Sequence, residues 1–321
     1  MIPLSAPFPY FGGKSKAADL LWARFGEGLG NYAEPFFGSG AVYLNRPASF
    51  DGWTVLNDLN GHVANFWRAT AAAPVDVARH ADAPVHECDL HARHLWLVTH
   101  SATLTARLMA DPDYYDAKAA GWWCWGACSW IRGGWCAGDG PWHAEPDAEG
   151  IAAFTKGDGG TGVNRQLPHL GDGGNGVNRK LENLTDWFAR LSESLRAARF
   201  ACGDWERICS PGTLTRNGPC AVLLDPPYSQ TAAVYASDSS TVAHDVRAWC
   251  VAHGGNPLLR IALCGHDTEH NALEALGWTV ETWAKSGGYQ GADDRERIWF
   301  SPHCAAPAQA DLFSASPALA A

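Results

Sequence analysis

Two stretches of the chain show the hydrophobic pattern of an α/β sheet. In the first, residues 31–36 are read as a strand that leads into the turn Gly38-Ser39-Gly40, residues 41–46 can begin a helix, and residues 53–56 form a short apolar run typical of a second strand. A strand, a glycine turn, a helix and a second strand in this order predict the opening of a parallel sheet.

The second stretch follows a helix predicted at about residues 183–198. Strand character returns there in five short runs, at residues 200–202, 221–224, 259–264, 278–283 and 297–300. The sequence therefore predicts two parts of one catalytic core, at residues 1–75 and 200–303, which flank an inserted segment at residues 76–199. Residues 304–321 are rich in Ala and Pro and are expected to form a flexible tail.

The inserted segment has its own pattern. Leucines and a tryptophan recur at near-helical spacing in residues 87–110, and residues 112–132 hold a run of tryptophans, so we expect two packed helices. Residues 133–178 are rich in Gly, Pro, Asp and Asn, which predicts long surface loops.

Composition narrows the class of protein. The 321 residues are 46% hydrophobic and 18% charged, without any run of eighteen apolar residues, so we expect a soluble globular chain with no membrane span. The first residues lack the features of a secretory signal, and the 10 cysteines are therefore expected to be reduced thiols in a cytoplasmic protein. A net charge of -10 argues against coating nucleic acid by bulk electrostatics.

The turn Gly38-Ser39-Gly40 is typical of ligand binding. Glycines let the backbone approach a ligand closely, and the open amides at a helix start favour a negative group. Asp58, about twenty residues further on, follows the second strand, where a carboxylate can accept hydrogen bonds from ribose hydroxyls. This spacing predicts a nucleoside-containing cofactor, and by itself it fits a dinucleotide dehydrogenase equally well.

Three separated segments together resemble the DNA adenine methyltransferases of the Dam type. They are Pro9-Tyr10-Phe11-Gly12-Gly13-Lys14, Glu34-Pro35-Phe36-Phe37-Gly38-Ser39-Gly40 and Asp225-Pro226-Pro227-Tyr228. Their order and spacing match that family, in which a variable recognition insertion separates the glycine motif from the catalytic tetrapeptide. The resemblance implies a Rossmann-like α/β fold with a seven-stranded mixed sheet and a helical, loop-rich target-recognition insertion.

The resemblance also implies a cofactor and the residues that hold it. The cofactor would be S-adenosylmethionine, and double-stranded DNA would be the substrate. Cofactor contacts would come from Tyr10, Gly12, Gly13, Lys14, Glu34, Phe37, Gly38, Ser39, Gly40 and Asp58. Asp204 and Trp205 resemble an acidic and aromatic element of the family that would contact the cofactor's adenine.

The tetrapeptide Asp225-Pro226-Pro227-Tyr228 follows an apolar run suited to a buried strand, so it would lie at the carboxyl edge of the sheet. The exocyclic amine of adenine is a poor nucleophile because its lone pair is delocalised into the ring. The Asp225 carboxylate and the Pro226 carbonyl could accept from the amine hydrogens and return that density to nitrogen, with Tyr228 stacked on the base. Such methyl transfer needs no metal, and we expect none.

The amine of a paired adenine is hidden in duplex DNA, so the base would have to be flipped into the site. The insertion offers candidate DNA contacts in two copies of a Gly-x-Gly-Val-Asn-Arg unit. The candidates are Asn164, Arg165, Asn178 and Arg179 for base edges, and Arg132, Lys156 and Lys180 for phosphates.

The tail contains Gln309-Ala310-Asp311-Leu312-Phe313, which resembles the peptide by which bacterial DNA enzymes dock onto the replication sliding clamp. Gln309, Asp311, Leu312 and Phe313 would carry that contact, and an exposed tail is where a docking peptide is expected.

Other functions stay open at this point. Methylation of cytosine N4 uses related chemistry, although serine commonly replaces the leading aspartate in that group, so Asp225 favours adenine. A non-catalytic nucleic-acid-binding protein with a methyltransferase-like core is a second alternative. Restriction-modification, protection of a phage genome and regulatory marking are all compatible with the sequence.

Overall fold

The computed structural model describes residues 4–10, 14–130, 135–136, 142–146, 152–156, 184–227, 241–282 and 296–306. The strands are β1 Asn31–Glu34, β2 Trp53–Asp58, β3 Trp142–Pro146, β4 Ala152–Lys156, β5 Ala198–Cys202, β6 Cys220–Leu224, β7 Leu259–His266, β8 Thr279–Thr282 and β9 Glu296–Phe300. The helices are α1 Ala18–Phe25, α2 Ala41–Leu44, α3 Gly61–Ala72, α4 Pro74–Ala81, α5 Glu87–Ala110, α6 Ala117–Ser129, α7 Leu184–Leu195, α8 Pro211–Leu214 and α9 Val242–His253.

Seven of these strands form one mixed sheet in the order β5-β2-β1-β6-β7-β9-β8. The five strands from β5 to β7 are parallel, whereas β9 runs antiparallel to both β7 and β8. The α/β class and the seven-stranded mixed sheet predicted from the sequence are thereby confirmed.

The sheet is buried on both faces, and alternate residues of its central strands point to opposite sides. In β6, Ala221 and Leu223 belong to one hydrophobic cluster while Val222 and Leu224 belong to the other. A strand covered on both faces reads as a continuous apolar run, which explains why β6 was recognisable in the sequence.

Helices of the 76–199 segment pack directly on the core around the sheet. Trp123 of α6 makes an edge-to-face contact with Phe8 at a centroid distance of 4.7 Å, and Phe188 of α7 contacts Phe66 of α3. These residues share one hydrophobic cluster with strand residues such as Tyr32 and Leu223. The division of the chain into core, insertion and tail stays a prediction.

The loop prediction for residues 133–178 was wrong for β3 and β4. These strands pair antiparallel, with Trp142 opposite Lys156 and Pro146 opposite Ala152. An antiparallel pair can form between neighbouring segments, and a composition averaged over a region rich in Gly, Pro and Asp obscures such short runs. Among the described residues, no helix is both long and apolar enough to span a membrane.

The backbone at Gly40 requires glycine. Its φ is +68°, and a Cβ there would lie 2.6 Å from Cζ of Phe37 and 3.1 Å from Cζ2 of Trp67. Replacing Gly40 by Ala should therefore lower the free energy of unfolding by about 2 kcal/mol or more, from the strained φ and the overpacking together. Urea unfolding followed by tryptophan fluorescence would measure this loss.

Gly212→Ala is the matched control, because a Cβ at Gly212 in α8 meets no atom within 4 Å. Its unfolding free energy should stay within about 0.5 kcal/mol of the parent value. Equal stability of the two variants would contradict the tight packing inferred at Gly40.

Candidate active site

The carboxyl ends of the parallel strands surround a cavity of about 340 Å³. Twelve residues predicted to be functional line it: Tyr10, Lys14, Glu34, Phe37, Gly38, Ser39, Asp58, Asp204, Trp205, Asp225, Pro226 and Pro227. Parallel β2, β1 and β6 lie side by side, so residues far apart in the sequence meet at one sheet edge. In open α/β sheets this edge is where ligands bind.

The glycine turn after β1 is held by groups from three sides. The backbone N–H of Gly38 donates to Oδ2 of Asp58 at 2.9 Å, and Nε1 of Trp67 donates to the Gly38 carbonyl oxygen at 2.9 Å. The φ of Gly38 is +49°, and a Cβ there would lie 2.6 Å from the Tyr10 ring. Glycine is therefore required at this position, because the Tyr10 ring lies where a side chain would begin.

The pKa of the Asp58 carboxyl is shifted from its ordinary value. Burial raises the pKa of its carboxyl to about 6, although the backbone amides of Asn60 and Gly38 partly offset the rise by hydrogen bonding to the ionised form. Its Oδ1 accepts from the Asn60 N–H at 2.8 Å. Near neutral pH the carboxyl is mostly ionised and accepts from these two backbone donors.

Asn57 joins the ends of three strands that border the cavity. Its Nδ2 donates to the carbonyl oxygen of Pro35, just after β1, and to that of Gly203, just after β5. Asn57 itself lies in β2. The side chain therefore fixes the relative positions of the three connections that carry Gly38, Asp58 and Asp204.

Asp204 and Trp205 form another wall of the cavity. Trp205 is buried and stacks on Phe36 with ring centroids 6.3 Å apart and planes 26° apart. Oδ1 of Asp204 accepts from the Glu206 N–H at 2.8 Å and so caps the short 3-10 helix Trp205–Ile208. Asp204 thus has a structural role as a cap, in addition to lining the cavity.

The Asp225 carboxylate lies against a buried lysine. Nζ of Lys14 is 2.9 Å from Oδ1 of Asp225 and 3.7 Å from Oε2 of Glu296, and the Lys14 side chain is only 3% exposed. Burial alone would lower the pKa of Lys14, but the adjacent Asp225 and Glu296 carboxylates raise it above its ordinary value. Lys14, assigned to the cofactor by the resemblance, is thus placed directly on the predicted catalytic carboxylate.

Glu34 is a further acidic residue that lines the cavity. It is buried at the end of β1 and accepts a hydrogen bond from the Tyr32 hydroxyl at 2.8 Å. Burial raises the pKa of Glu34 well above its ordinary value, the Tyr32 hydrogen bond opposes the rise, and the neighbouring Asp225 and Asp58 add to it.

Several predicted site residues fall elsewhere. Gly40 does not line the cavity but packs beneath the turn against Phe37. Lys156 lies in β4, although its side chain is outside what the structure describes. The remaining predicted residues also lie outside the described parts of the chain: Gly12, Gly13, Arg132, Asn164, Arg165, Asn178, Arg179, Lys180, Tyr228, Gln309, Asp311, Leu312 and Phe313.

Sequence reasoning missed six polar or thiol groups that line the same cavity: Asn57, Asn60, His62, Ser101, Thr105 and Cys136. Asn57, Asn60 and His62 all lie within four residues of Asp58, from the end of β2 to the start of α3, so proximity in sequence to that residue could have suggested them. Ser101 and Thr105 reach the cavity only because α5 packs on α3, which no local pattern reveals.

Comparison with known families supplies an independent finding. Residues 10–94 match a family described as D12 class N6 adenine-specific DNA methyltransferase. The resemblance to adenine-N6 DNA methyltransferases is confirmed. The matched segment holds Tyr10, Lys14, the glycine turn and Asp58, whereas Asp225 lies outside it. The match to this D12 class supports methylation of adenine in DNA. No curated protein matches the chain.

The buried ion pair of Lys14 makes a testable contribution to stability. Replacing Lys14 by Met removes the cation and leaves Asp225 and Glu296 near each other without it. We expect a loss of roughly 3 to 5 kcal/mol in the free energy of unfolding, as for other buried pairs that lose one partner. Urea unfolding at neutral pH would measure it.

Arg79→Met provides the matched control, since Arg79 and Asp76 form an ion pair whose side chains are 68% and 56% exposed. That change should cost at most about 1 kcal/mol. If Lys14→Met lowered the free energy of unfolding no more than Arg79→Met, the stability assigned to the buried ion pair would be wrong.

Proposed function

We propose that this protein transfers a methyl group from S-adenosylmethionine to N6 of adenine in DNA. One observation carries the proposal: the end of β6, with Asp225 and Pro226, opens into the same cavity as the glycine turn and Asp58. A nucleoside cofactor and an acceptor base could therefore meet within one cleft. The match of residues 10–94 to the D12 class supports the same chemistry.

The cavity residues fit the proposed cofactor. The glycine turn offers bare backbone, Asp58 offers a carboxylate for ribose hydroxyls, and Phe36 and Trp205 offer flat apolar surfaces for a purine. Carboxyls line the cavity, and an ionised one such as Asp58 suits a ligand with a positive sulfur, whereas the raised pKa of Glu34 disfavours a charge on that residue. When bound, S-adenosylmethionine supplies a methyl group activated by its sulfonium.

The end of β6 supplies the groups that would activate the base. The Asp225 carboxylate and the Pro226 carbonyl oxygen are two acceptors for the hydrogens of an exocyclic amine, and their pull returns electron density to its nitrogen. Lys14, bonded to Oδ1 of Asp225, holds that carboxylate in place. After transfer the amine nitrogen carries one proton too many, and Asp225 is the nearest base proposed to accept it.

A duplex hides the adenine amine, so the proposal includes rotation of the target base into the cavity. Tyr228 would stack on that base, and the loop residues around Asn164 and Asn178 would contact the duplex. These roles rest on the sequence, as does clamp docking by residues 309–313.

Asp225→Asn tests the proposed chemistry. The change replaces an acceptor-only carboxylate by an amide that can present hydrogens to the amine, so turnover should fall at least about a hundredfold while cofactor affinity changes little. Purified protein, unmodified duplex DNA and labelled S-adenosylmethionine would be combined, with N6-methyladenine and N4-methylcytosine quantified by mass spectrometry.

Asp19→Asn is the control, because Asp19 is an exposed carboxylate on α1 away from the cavity. It should methylate at the parent rate. N4-methylcytosine as the main product would contradict the adenine assignment. Binding of DNA without any methylation would instead favour a non-catalytic nucleic-acid-binding protein.

Cofactor affinity should depend on pH through Asp58. Its ionised carboxylate can accept from ribose hydroxyls, and protonation below its pKa of about 6 replaces those charge-assisted hydrogen bonds by weaker neutral ones. We therefore expect S-adenosylmethionine binding to weaken as pH falls from 7.5 to 5, by at most about tenfold per pH unit below 6. Isothermal titration calorimetry across this range would measure the dissociation constant.

Glu34 and Asp204 line the same cavity, so a variant must isolate the contribution of Asp58. Asp58→Asn does so: its affinity should be weaker at pH 7.5 and should lose the part of the pH dependence centred near 6. If the dissociation constant of this variant varied with pH as it does in the parent protein, Asp58 would not be a cofactor-binding residue.

A further inference from the structure

His62 is a buried histidine at the wall of the cavity. Its side chain is 3% exposed, and neither Nδ1 nor Nε2 has a hydrogen-bond partner among the described residues. A buried polar group without a partner costs free energy, which a ligand can recover by bonding to it. Because His62 also lines the cavity described above, the ligand to consider is one bound there.

The position of His62 is fixed by its neighbours. Its backbone N–H donates to Oδ1 of Asn60 at 2.9 Å, which caps the start of α3. The preceding Gly61 packs so closely on α5 that a Cβ would lie 2.1 Å from Oγ1 of Thr105. The first turn of α3 is therefore wedged between the Asp58 connection and α5, and the imidazole is held at the cavity wall.

The chemistry of the ring limits what it can bind. Burial lowers the pKa of His62 to about 4, so the imidazole is neutral at physiological pH and presents one N–H donor and one acceptor nitrogen. Either ring nitrogen can bond a hydroxyl, because a hydroxyl both donates and accepts. A carboxylate or a sulfonium would instead be held better by a charged group.

We propose that the His62 ring hydrogen-bonds a ribose hydroxyl of the bound cofactor, beside Asp58. The assignment rests on the proposed use of S-adenosylmethionine. Asp58 and His62 are four residues apart on the connection from β2 to α3, where ribose hydroxyls are bound in open α/β sheets. Because Asp58 already accepts from two backbone amides, a second group nearby would complete recognition of the hydroxyl pair.

A double-mutant cycle between protein and ligand tests this contact. Binding of S-adenosylhomocysteine and of its 2′-deoxy and 3′-deoxy analogues would be measured calorimetrically for the parent protein, His62→Phe and His62→Gln. We expect His62→Phe to weaken binding of the intact ligand about tenfold. One of the deoxy analogues should bind the parent about tenfold more weakly yet bind His62→Phe with almost no further loss.

His62→Gln should recover part of the affinity, because its amide also offers a donor and an acceptor. His270→Phe is the matched control: His270 is also a buried histidine, but it does not line the cavity. Its affinity for S-adenosylhomocysteine should equal that of the parent. If His62→Phe does not fold, His62→Ala, which offers neither a side-chain donor nor an acceptor, carries the same cycle.

The outcomes separate this inference from the proposed function. The affinity loss from His62→Phe could combine multiplicatively with the losses from both deoxy analogues, which would mean that the ring and the ribose hydroxyls are not coupled. That result would overturn the ribose contact and leave the proposed methyl transfer intact. Unchanged ligand affinity in His62→Phe together with a raised KM for DNA would also overturn it, and would place the ring on the target base. A parent protein that binds neither S-adenosylmethionine nor S-adenosylhomocysteine would refute the proposed function itself.

Discussion

The parallel register of β2, β1 and β6 is the constraint on which the site depends. Glu34 pairs with Leu56 across β1 and β2, and Ala33 pairs with Val222 across β1 and β6, so the three strands end at nearly the same height. Each strand then delivers one functional connection: the glycine turn, Asp58 and Asp225. Parallel pairing needs crossover connections, and the helices in these crossovers bury both faces of the sheet and make its edge rigid.

That rigidity supports an arrangement of charge that stability alone would not favour. Lys14, Asp225 and Glu296 lie within one buried cluster, and Glu34 and Asp58 lie on the same cavity. Burying ions costs several kcal/mol each, and well-packed apolar residues would often be at least as stable. Burial raises the pKa of both Glu34 and Asp58, as expected where the ionised form of a carboxyl is desolvated. Such strain is expected where groups are set for chemistry.

Much of this site could be predicted because its parts have strong local signals. The apolar run before Asp225 predicts a buried strand, and the glycines at 38 and 40 predict a turn that the observed positive φ values require. The strands β3 and β4 were not predicted, because they are short and lie in a polar region of the sequence. Local signals likewise could not reveal that Lys14 would lie on Asp225, over two hundred residues away, or that Asp204 would cap a 3-10 helix.

Some cavity residues are positioned only by the packing of one helix on another, and these residues bring a different chemistry to the cavity. Ser101, Thr105 and the His62 ring come together through contacts of α3 with α5, and they add neutral hydrogen-bonding groups to an otherwise acidic wall. Acidic walls attract a positive cofactor and repel phosphates, since like charges at close range in a poorly hydrated site are costly.

This acidity also bears on how DNA could be held. On the proposed function, the uncharged base is the part of DNA that can enter such a cavity without electrostatic penalty, while the phosphates must stay outside it. A chain with a net charge of -10 would then need basic groups grouped outside the cavity to hold the backbone. Flipping the base into the cavity meets both requirements, because it separates the base from the phosphate backbone at the cavity mouth.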